Sequence, residues 1–505
     1  MKVNLSGFNI EKQTIDALAS GRPEADILTP EVFSAAYARL SRSPKSAEDL
    51  RKDAREEIER ARRSNEQIIF GMGHHSVAEH AVFNFDIMGI SRLAVEEIEH
   101  FRLASFTEKS QRYQKLDDDV MIPEEIASLG LSEEFNDLVR MQNRIYLELF
   151  VLLAEHALQE QDQGRPGQKA SRKKKAAENR AKEDARYATS LSLPTQLGAT
   201  FNARILELLA RRFASHPLKE IQELGRLLFK EVKETAPSII LFIEANDYDR
   251  LTYPHLESTA RKLIYAPASD SESKDGVTLI DHTEKADEKL AAALLHRVTL
   301  KSYQTCRETV AQMDSRGLAE ILKASCRHME LFNAALREFE HVVLTYELIV
   351  SASCFAQLKR HRMATLTSQP YDPGLGVEIP PLVTAAGAEK IFLKAVDAAI
   401  PLYEKIAGKC PEASTYALTN SHRRRVILTM NARELYHFAR LREDKHSQWE
   451  IREVARKIVR EAKKVMPRTA FLACGKDVFP AVYKTVYGFD PKVIKPVLPG
   501  RQSKS

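Results

Sequence analysis

The strongest constraint on the fold is an internal repeat, because four blocks of sequence occur twice and keep their order. The pairs are EHAVFNFDI and EHVVLTYEL, FRLASFT and HRMATLT, TFNARILELL and TMNARELYHF, and the long amphipathic stretch that follows each NAR motif. The first members of the three short pairs begin at Glu79, Phe101 and Thr200, and the second members follow in the same order from residue 340. Four ordered matches predict two copies of one structural unit within the 505 residues.

Residue patterns within the copies predict a mixed α+β fold, in which each copy forms a small sheet packed with long helices. EHAVFNFDIMGI and EHVVLTYELIV are rich in β-branched and aromatic residues and partly alternate, which is typical of strands. EIQELGRLLFKEVKE and EIREVARKIVREAKK carry apolar residues three and four apart, which predicts long helices. We expect a first copy at 1–267 with a basic insertion at about 160–183, a linker at 268–276, a second copy at 277–495 and a tail at 496–505.

The net charge of +5 is concentrated in one segment. Residues 163–186 hold nine Lys or Arg and three Asp or Glu, so they carry +6 and the rest of the chain sums to about −1. The segment contains Gly, Pro and Ser and shows no apolar periodicity, which is typical of a mobile loop. We favour a loop over a nucleic-acid-binding site for this insertion.

Cysteine usage and hydropathy narrow the class of protein. The five cysteines show no CxxC spacing, which argues against a disulfide framework or a structural zinc site. No apolar run approaches the roughly 18 residues of a membrane span. The sequence therefore predicts a cytoplasmic protein with no membrane association. His74, His75 and His80 lack a neighbouring Cys or Asp pattern, and we expect no metal site there.

Two groups of side chains suit a phosphate-bearing ligand. Gln357, Arg360 and His361 stand at positions i, i+3 and i+4, which share one face of a helix. Their donors suit a phosphate or an electron-rich ring, although a solvated basic face is the alternative. In the first copy, Ser110 and Arg112 are two residues apart, and a hydroxyl and a guanidinium so placed can clamp one phosphate.

Together, GHHSVAEH, ASFTEKSQRY, the RHR triplet and TMNARELYHFARLREDKHSQWEIRE resemble the flavin-dependent thymidylate synthases, whose signature is RHR, seven residues and then Ser. The resemblance covers most of both copies, but neither has the whole signature. The first has Ser110 after HFR, whereas the second has RHR with Pro370 in the place of the serine and Asp372 in that of Arg112. Each copy keeps what the other lacks. We therefore expect one composite site per pair of copies, in a homodimer that replaces the homotetramer of the family.

The resemblance implies a role for each matching residue. The residues that would bind dUMP are Ser110, Gln111, Arg112, Arg186, Gln357, Arg360 and Arg442. The residues that would line FAD are Ser41, His74, Ser76, Glu108, Arg360, His361, Arg362, Asn431 and His437, the last standing where the family often has Asn. Arg442 and Ser110 would form the catalytic set. Arg442 would stabilise negative charge on the uracil, and Ser110 would act as a phosphate-binding hydroxyl rather than a nucleophile.

The implied reaction is the reductive methylation of dUMP to dTMP. Methylenetetrahydrofolate would supply the carbon, and NADPH would supply electrons through FAD. The alternative is a catalytically inactive FAD-binding relative that serves as a binding or assembly module. Departures from the signature in each copy favour that alternative, whereas their complementarity favours the enzyme.

Overall fold

The computed structural model describes residues 1–21, 28–110, 112, 120–164, 170–264 and 276–492. Within these residues, two four-stranded antiparallel sheets have the same strand order. The first sheet is ordered β1-β2-β4-β3, from β1 (Lys2–Phe8), β2 (Val82–Ser91), β3 (Ala104–Glu108) and β4 (Pro194–Asn202). The second is ordered β5-β6-β8-β7, from β5 (Val277–His282), β6 (Val343–Ser351), β7 (Thr365–Ser368) and β8 (Arg423–Asn431). This repetition confirms the prediction of two tandem α+β copies.

Helices make up most of the remaining described chain. In the first copy they are α1 (Lys12–Ala19), α2 (Glu31–Leu40), α3 (Ala47–Glu56), α4 (Ile58–Asn65), α5 (Arg92–Ile98), α6 (Glu124–Ser128), α7 (Ser132–Gly164), α8 (Ala170–Ala185), α9 (Ala203–Ala214), α10 (Lys219–Val232) and α11 (Asp247–Leu263). In the second copy they are α12 (Ala286–Val298), α13 (Tyr303–Ala311), α14 (Ser315–Cys326), α15 (Ala352–Leu358), α16 (Pro381–Ala385), α17 (Glu389–Asp397), α18 (Ala399–Ala407), α19 (Pro411–Ser414), α20 (Ala432–Arg442), α21 (Trp449–Val465) and α22 (Phe479–Tyr487). Short helical turns lie at Glu66–Gly71 (π), and at His75–His80, Arg186–Ala188, Arg337–His341, Pro373–Leu375 and Thr415–Ala417 (3₁₀). None of the described helices combines the length and the hydropathy needed to cross a membrane.

The periodicity of the sequence explains how sheet and helix pack in the first copy. On β2, Phe83 and Phe85 are buried whereas Asn84 and Asp86 are exposed, which is the alternation of a strand with one face in the core. Helix α10 buries a stripe at helical spacing into the same hydrophobic cluster, made of Ile221, Leu224 and Leu228. The predicted strands and long helices of both copies are confirmed.

A serine–glutamate pair with a buried serine is repeated in the two copies. Ser91 caps α5, and its backbone N and Oγ lie 2.6 and 2.7 Å from the carboxylate oxygens of Glu220 on α10. Ser351 caps α15 in the same way, at 3.0 and 2.5 Å from Glu450 on α21. The pair joins the end of a central strand to the start of the long helix in each copy, which explains why both copies retain it.

Packing divides the chain into two compact units that differ from the two sequence copies. Unit 1 comprises Met1–Asp270 together with Ile379–Ser421, and unit 2 comprises Ser271–Glu378 together with His422–Ser505. Helices α16 to α19 of the second copy therefore belong to unit 1. There, Tyr416 donates its hydroxyl to Glu220 at 2.7 Å, and the amide of Gln142 on α7 donates to the carbonyl of Ala417 at 3.3 Å.

Helix α8 corrects the expectation of a mobile basic loop. It packs along α7 and buries Ala177, Ala181 and Ala185, which lie four residues apart on one face. Ala, Lys, Arg and Glu are strong helix formers, and a stripe of alanines is too weakly apolar to show as hydrophobic periodicity. Residues 165–169 of the insertion, 268–275 of the predicted linker and 496–505 of the predicted tail lie outside the described residues.

Candidate active site

Unit 1 brings together the predicted phosphate-binding residues of the first copy. Arg112 forms an ion pair with the carboxylate of Glu183, and Arg186 Nε donates to the backbone carbonyl of Glu183 at 3.2 Å. Ser110 Oγ accepts the backbone N–H of Arg112 at 3.2 Å. Ser110, Arg112 and Arg186 are therefore linked through the end of α8. Gln111 lies outside the described residues.

Arg186 is a buried cation in a positively charged environment. Burial lowers the pKa of its guanidinium, and Arg112 and Arg92 lower it further, against the opposing effects of Tyr187 and Glu183. Its side chain is 5% exposed, and its Nη2 has no hydrogen-bond partner among the described residues. An anion at this place would accept a hydrogen bond from Nη2 and would offset the positive charge of the neighbouring arginines, so the cluster suits a phosphate.

The predicted flavin-lining residues of the first copy lie near the surface of unit 1. Ser41 follows the last residue of α2 and is exposed. His74 and Ser76 are exposed at the start of the 3₁₀ turn that precedes β2. Glu108, at the end of β3, is half-buried, and its Oε1 lies 3.1 Å from Nη1 of the buried Arg92.

Unit 2 holds a network centred on His361. Arg442 Nε, in the last residue of α20, donates to His361 Nε2 at 2.8 Å, and His361 Nδ1 lies 2.9 Å from Glu434 Oε1. A guanidinium can only donate, so Nε2 must accept and the imidazole proton resides on Nδ1, which donates to Glu434. The network therefore fixes both the tautomer of His361 and the plane of the Arg442 guanidinium.

Electrostatics favour the neutral imidazole. Burial lowers the pKa of His361 well below 6.5, and the charges of Arg442 and His437 lower it further. Burial also raises the pKa of Glu434, against the charges of His437 and Arg433. His361, Glu434 and the exposed His437 bring ligand-type atoms within 4.8 Å of one another. Both ring nitrogens of His361 are already engaged, so the group orients Arg442 instead of presenting a metal site.

The RHR segment is not one continuous helix, which corrects the expected common face. Helix α15 ends one residue after Gln357, and Arg360 and His361 lie in the turn that follows. Gln357 and His361 nevertheless meet at Arg442, because Arg442 Nη1 lies 3.5 Å from Gln357 Oε1. Arg360 is half-buried and Arg362 is exposed in the same turn.

The asparagine of each NAR motif caps a helix. Asn202 Oδ1 accepts the backbone N–H of Ile205 at 2.9 Å, and Asn431 Oδ1 accepts that of Glu434 at 2.9 Å. Asn431 can therefore offer a ligand its amide N–H groups and the second lone pair of Oδ1, because the helix cap uses only one. The cap role appears in both copies and needs no ligand.

The arginine of each NAR motif also has a structural partner. Arg204 binds Glu79 at 2.5 Å in the first copy, and Arg433 binds Glu340 at 2.7 Å in the second. Each glutamate belongs to the EH pair before a central strand. Two of the repeated motifs are therefore joined by an ion pair, which accounts for their joint presence in both copies.

Most of the remaining predicted site residues are replaced in one copy or the other, although Arg362 is matched by Arg102. Where the second copy has His361 and Arg442, the first has Phe101 and Phe213, whose buried rings pack edge-to-face at 5.9 Å. Where the first copy has Ser110 and Arg112, the second has Pro370 and Asp372. Asp372 caps a 3₁₀ turn by accepting the N–H of Gly374 at 2.8 Å. At the replaced positions, each copy forms a self-contained local structure.

Three residues that contact predicted site residues were not themselves predicted from the sequence, namely Arg92, Glu183 and Glu434. Arg92 and Glu434 each stand in the first turn of a helix, where the pattern alone gives them no special role. A signal was available, because the other copy has Ala352 in the place of Arg92 and Ile205 in the place of Glu434. Asymmetry between copies marks these two residues, whereas nothing in the pattern marks Glu183.

Comparison with known proteins gives a consistent result. The family model described as "thymidylate synthase complementing protein" matches residues 26–238 and 278–468, which is one match per copy. The flavin-dependent thymidylate synthase of Clostridium tetani is 30% identical over 218 residues, which cover 42% of this chain and 82% of that protein. That of Saccharolobus solfataricus is 37% identical over 139 residues, covering 26% of this chain and 53% of that protein.

A further relative extends over both copies. A UPF0159 protein of Thermoplasma acidophilum is 24% identical over 472 residues, which cover 86% of this chain and 93% of that protein. An alignment of this length includes both copies in a single chain. The tandem arrangement is therefore shared with a protein whose name assigns it no reaction.

Proposed function

Because the chain belongs to the flavin-dependent thymidylate synthase family, we propose that it converts dUMP to dTMP with FAD, NADPH and methylenetetrahydrofolate. One composite site would use residues of both copies, at 1–267 and 277–495, joined by 268–276 and followed by a tail at 496–505. A homodimer would then contain the four copies that a tetramer of single-copy chains contains. The five unpaired cysteines support a location in the reducing cytoplasm.

The observation that carries this proposal is the reciprocal replacement of polar residues. Phe101 and Phe213 abolish the His361–Arg442 pair in one copy, and Pro370 and Asp372 abolish the serine and arginine clamp in the other. A chain that had lost its function would have no reason to keep complementary halves. One working site formed from both halves explains why neither half is kept twice.

The dUMP phosphate would bind Ser110, Arg112 and Arg186. Two observations support an anionic ligand there: Nη2 of Arg186 has no hydrogen-bond partner among the described residues, and neighbouring arginines make its surroundings positively charged. Gln357 and Arg360 would close on the nucleotide from the second copy. Gln357 Nε2 supports this role, because it is buried and has no partner among the described residues.

Arg442 would stabilise negative charge on the uracil carbonyl as the ring is activated. Its guanidinium plane is set by the bond to His361, whose tautomer is set by Glu434. A donor that is held in place before the reaction needs no reorganisation as charge develops, which is the main source of electrostatic catalysis. Glu434 would thus be a positioning residue that acts through His361.

FAD would contact the exposed Ser41, His74 and Ser76 of the first copy, together with Glu108. From the second copy it would contact a second group, made of Arg360, His361, Arg362, Asn431 and His437. These residues fit a flavin dinucleotide, because they combine exposed donors, guanidinium groups for phosphates and a neutral imidazole. When bound, FAD would supply hydride chemistry that no side chain offers, with electrons from NADPH and carbon from the folate.

The first test is spectroscopic. We expect the purified protein to carry flavin at one FAD per chain, and to release tritium from 5-tritiated dUMP when folate and NADPH are present. FAD binding without tritium release under these conditions would favour the alternative of an inactive binding or assembly module. Two FAD per chain would contradict the composite site.

The second test uses matched variants of both copies. Arg112→Ala and Arg360→Ala should each abolish dUMP binding in isothermal titration calorimetry, although they lie in different copies. The corresponding positions of the other copy provide controls, and Asp372→Asn and His100→Ala should bind dUMP like the parent. A loss confined to the second-copy arginine would overturn the composite site.

A further inference from the structure

An open cavity of about 730 Å³ lies between α2, α3 and α4 of unit 1, and none of the residues assigned above lines it. Its volume falls within the range of small-molecule sites. Buried Ala38 and Leu50 contribute to its lining, whereas charged side chains provide most of its polar surface. Five of these are cations, namely Arg39, Arg42, Lys45, Arg60 and Arg63, and two are carboxylates, namely Asp53 and Glu57.

The carboxylates neutralise only part of this charge. Lys45 pairs with Asp53 at 2.7 Å, and Arg60 pairs with Glu57 at 2.7 Å. Five cations less two carboxylates leave a formal charge of +3. The uncompensated cations are three arginines without a carboxylate partner among the described residues, Arg39, Arg42 and Arg63.

The cations also repel one another. Burial lowers the pKa of Arg39, and the charge of Arg60 lowers it further, although Asp53 and Glu57 act in the opposite direction. Arg39 donates to the backbone carbonyl of Arg60 at 3.2 Å and to Ser64 Oγ at 3.3 Å, so it is fixed beside a like charge. Crowded cations around a cavity are stabilised by a bound anion, and less so by dilute salt.

The cations are distributed among three elements. Arg39 comes from the last turn of α2, Arg42 and Lys45 come from the loop that follows, and Arg60 and Arg63 come from α4. Such a distribution suits several negative groups along a chain better than a single phosphate. We infer that this cavity binds an extended oligo-anion, a flexible chain that carries several carboxylate or phosphate groups.

The position of the cavity indicates where such a chain could come from. Arg42 follows Ser41, and its Nη1 contacts Met72 Sδ at 3.2 Å, two residues before His74. Ser41 and His74 are proposed flavin contacts, so the cavity adjoins the first-copy part of the proposed site. The oligo-anion is then the charged end of a co-substrate, either the glutamate tail of the folate or the phosphates of NADPH. This choice of source rests on the proposed function, whereas anion binding itself does not.

Binding is tested on the full-length protein without turnover. Pentaglutamate and inorganic tripolyphosphate are the probes, pentaglutamine is the neutral control, and affinity is measured by calorimetry at 50 and 300 mM salt. We expect both anionic probes to bind with clearly higher affinity than pentaglutamine, and we expect their affinity to fall at the higher salt concentration. Equal affinity for pentaglutamate and pentaglutamine would overturn the inference.

Variants locate the binding. Arg42→Gln with Arg63→Gln should weaken binding of the probes by about fivefold for each arginine. The matched control is Arg250→Gln with Arg261→Gln on α11, where both arginines are exposed, and it should bind like the parent. All four side chains are exposed, so both variants should fold, which far-UV circular dichroism checks. Unchanged binding by the cavity variant would overturn the site.

The source is resolved by kinetics. If the folate tail binds there, the cavity variant should raise the KM of pentaglutamylated folate but not that of monoglutamyl folate. If the phosphates of NADPH bind there, it should raise the KM of NADPH, and by more than that of NADH, which lacks only the 2′-phosphate. If the probes bind but neither KM changes, the anion site stands and the assignment to a co-substrate is wrong. A protein that binds the probes but shows no turnover contradicts the proposed function and leaves the site supported.

Discussion

The network of His361, Glu434 and Arg442 allows one prediction to be worked through in energy. The first copy shows what replaces the network when it is lost, because it has Phe101, Ile205 and Phe213 at these positions. We therefore compare the single change Glu434→Ile with a triple variant that also carries His361→Phe and Arg442→Phe. The single change removes one partner, whereas the triple variant reproduces the apolar cluster of the first copy.

The two variants should differ sharply in stability. His361 is 3% exposed and Glu434 is 6% exposed, so Glu434→Ile leaves the His361 Nδ1–H buried without its acceptor. An unsatisfied buried donor costs about 1–3 kcal/mol, whereas replacing all partners by apolar groups is close to neutral. The edge-to-face contact of two phenylalanines would return roughly 0.5–1.5 kcal/mol. We expect the free energy of unfolding of the triple variant to lie within about 1 kcal/mol of that of the parent, although it carries two more substitutions than Glu434→Ile.

The single tryptophan provides the assay. Trp449 opens α21 in unit 2, so its fluorescence during a urea titration reports the unit that contains the network. With a slope of roughly 2 kcal/mol per molar urea, Glu434→Ile should lower the midpoint by about 0.5–1.5 M, and the triple variant should recover most of that loss. FAD binding should be lost in the triple variant. A triple variant less stable than Glu434→Ile would refute the assignment of the cost to an orphaned donor.

Three further predictions follow from single features. Deleting residues 170–182 removes most of α8, which positions Glu183 and Arg186. We therefore expect dUMP affinity, measured by calorimetry, to fall about tenfold or more. Unchanged affinity would support the interpretation of this segment as a loop. Asn202→Ala and Asn431→Ala should each cost about 1 kcal/mol in urea unfolding as lost helix caps, and only Asn431→Ala should also weaken FAD binding; equal FAD affinities would leave Asn431 a cap alone. His216 accepts the N–H of Leu218 at Nδ1, and burial lowers its pKa to about 4. The unfolded residue titrates near 6.5, so the stability that the neutral ring contributes is complete above pH 6.5 and is lost as the pH falls toward 4, by about 2 kcal/mol at pH 5. Hydrogen exchange of α9 amides should show this loss in the parent and a smaller one in His216→Gln.

The sequence predicted the repeated elements because their determinants are local. Alternation on β2 and the helical spacing on α10 follow from the residues of each element alone. The course of the chain at 379–421 could not be predicted in this way, because its assignment to unit 1 depends on contacts such as Tyr416 with Glu220, which lie 196 residues apart. Helix α8 was missed for a different reason, since alanines at 177, 181 and 185 give little hydrophobic signal.

The site was predicted as two groups of residues, and the contacts among them were not. His361 was expected on one helix face with Gln357, but the helix ends first and the two meet through Arg442. Glu434 was overlooked because an acidic residue in the first turn of a helix already has a common explanation in the helix dipole. Its second role, accepting a hydrogen bond from the buried His361, depends on a contact 73 residues apart in sequence that the local pattern does not reveal.

The comparison of the two copies separates structural from functional polar residues on physical grounds. Ser91 with Glu220, and Ser351 with Glu450, satisfy buried backbone groups, so losing either pair would destabilise its own copy whatever the other contains. Losing a ligand contact has no such local cost, and under the proposed composite site one occurrence per chain is enough. Polar residues present in one copy should therefore be those that bind ligands or orient such residues. Polar residues present in both copies should be those that fold the chain, with a ligand contact as an added role for Asn431 and Arg362. Arg92 and Glu434 each occur in one copy only, so by this criterion they serve ligand binding. We expect a substitution of either residue to reduce dUMP affinity or turnover. The reduction should exceed that caused by a substitution in the repeated serine–glutamate pairs that lowers the stability equally.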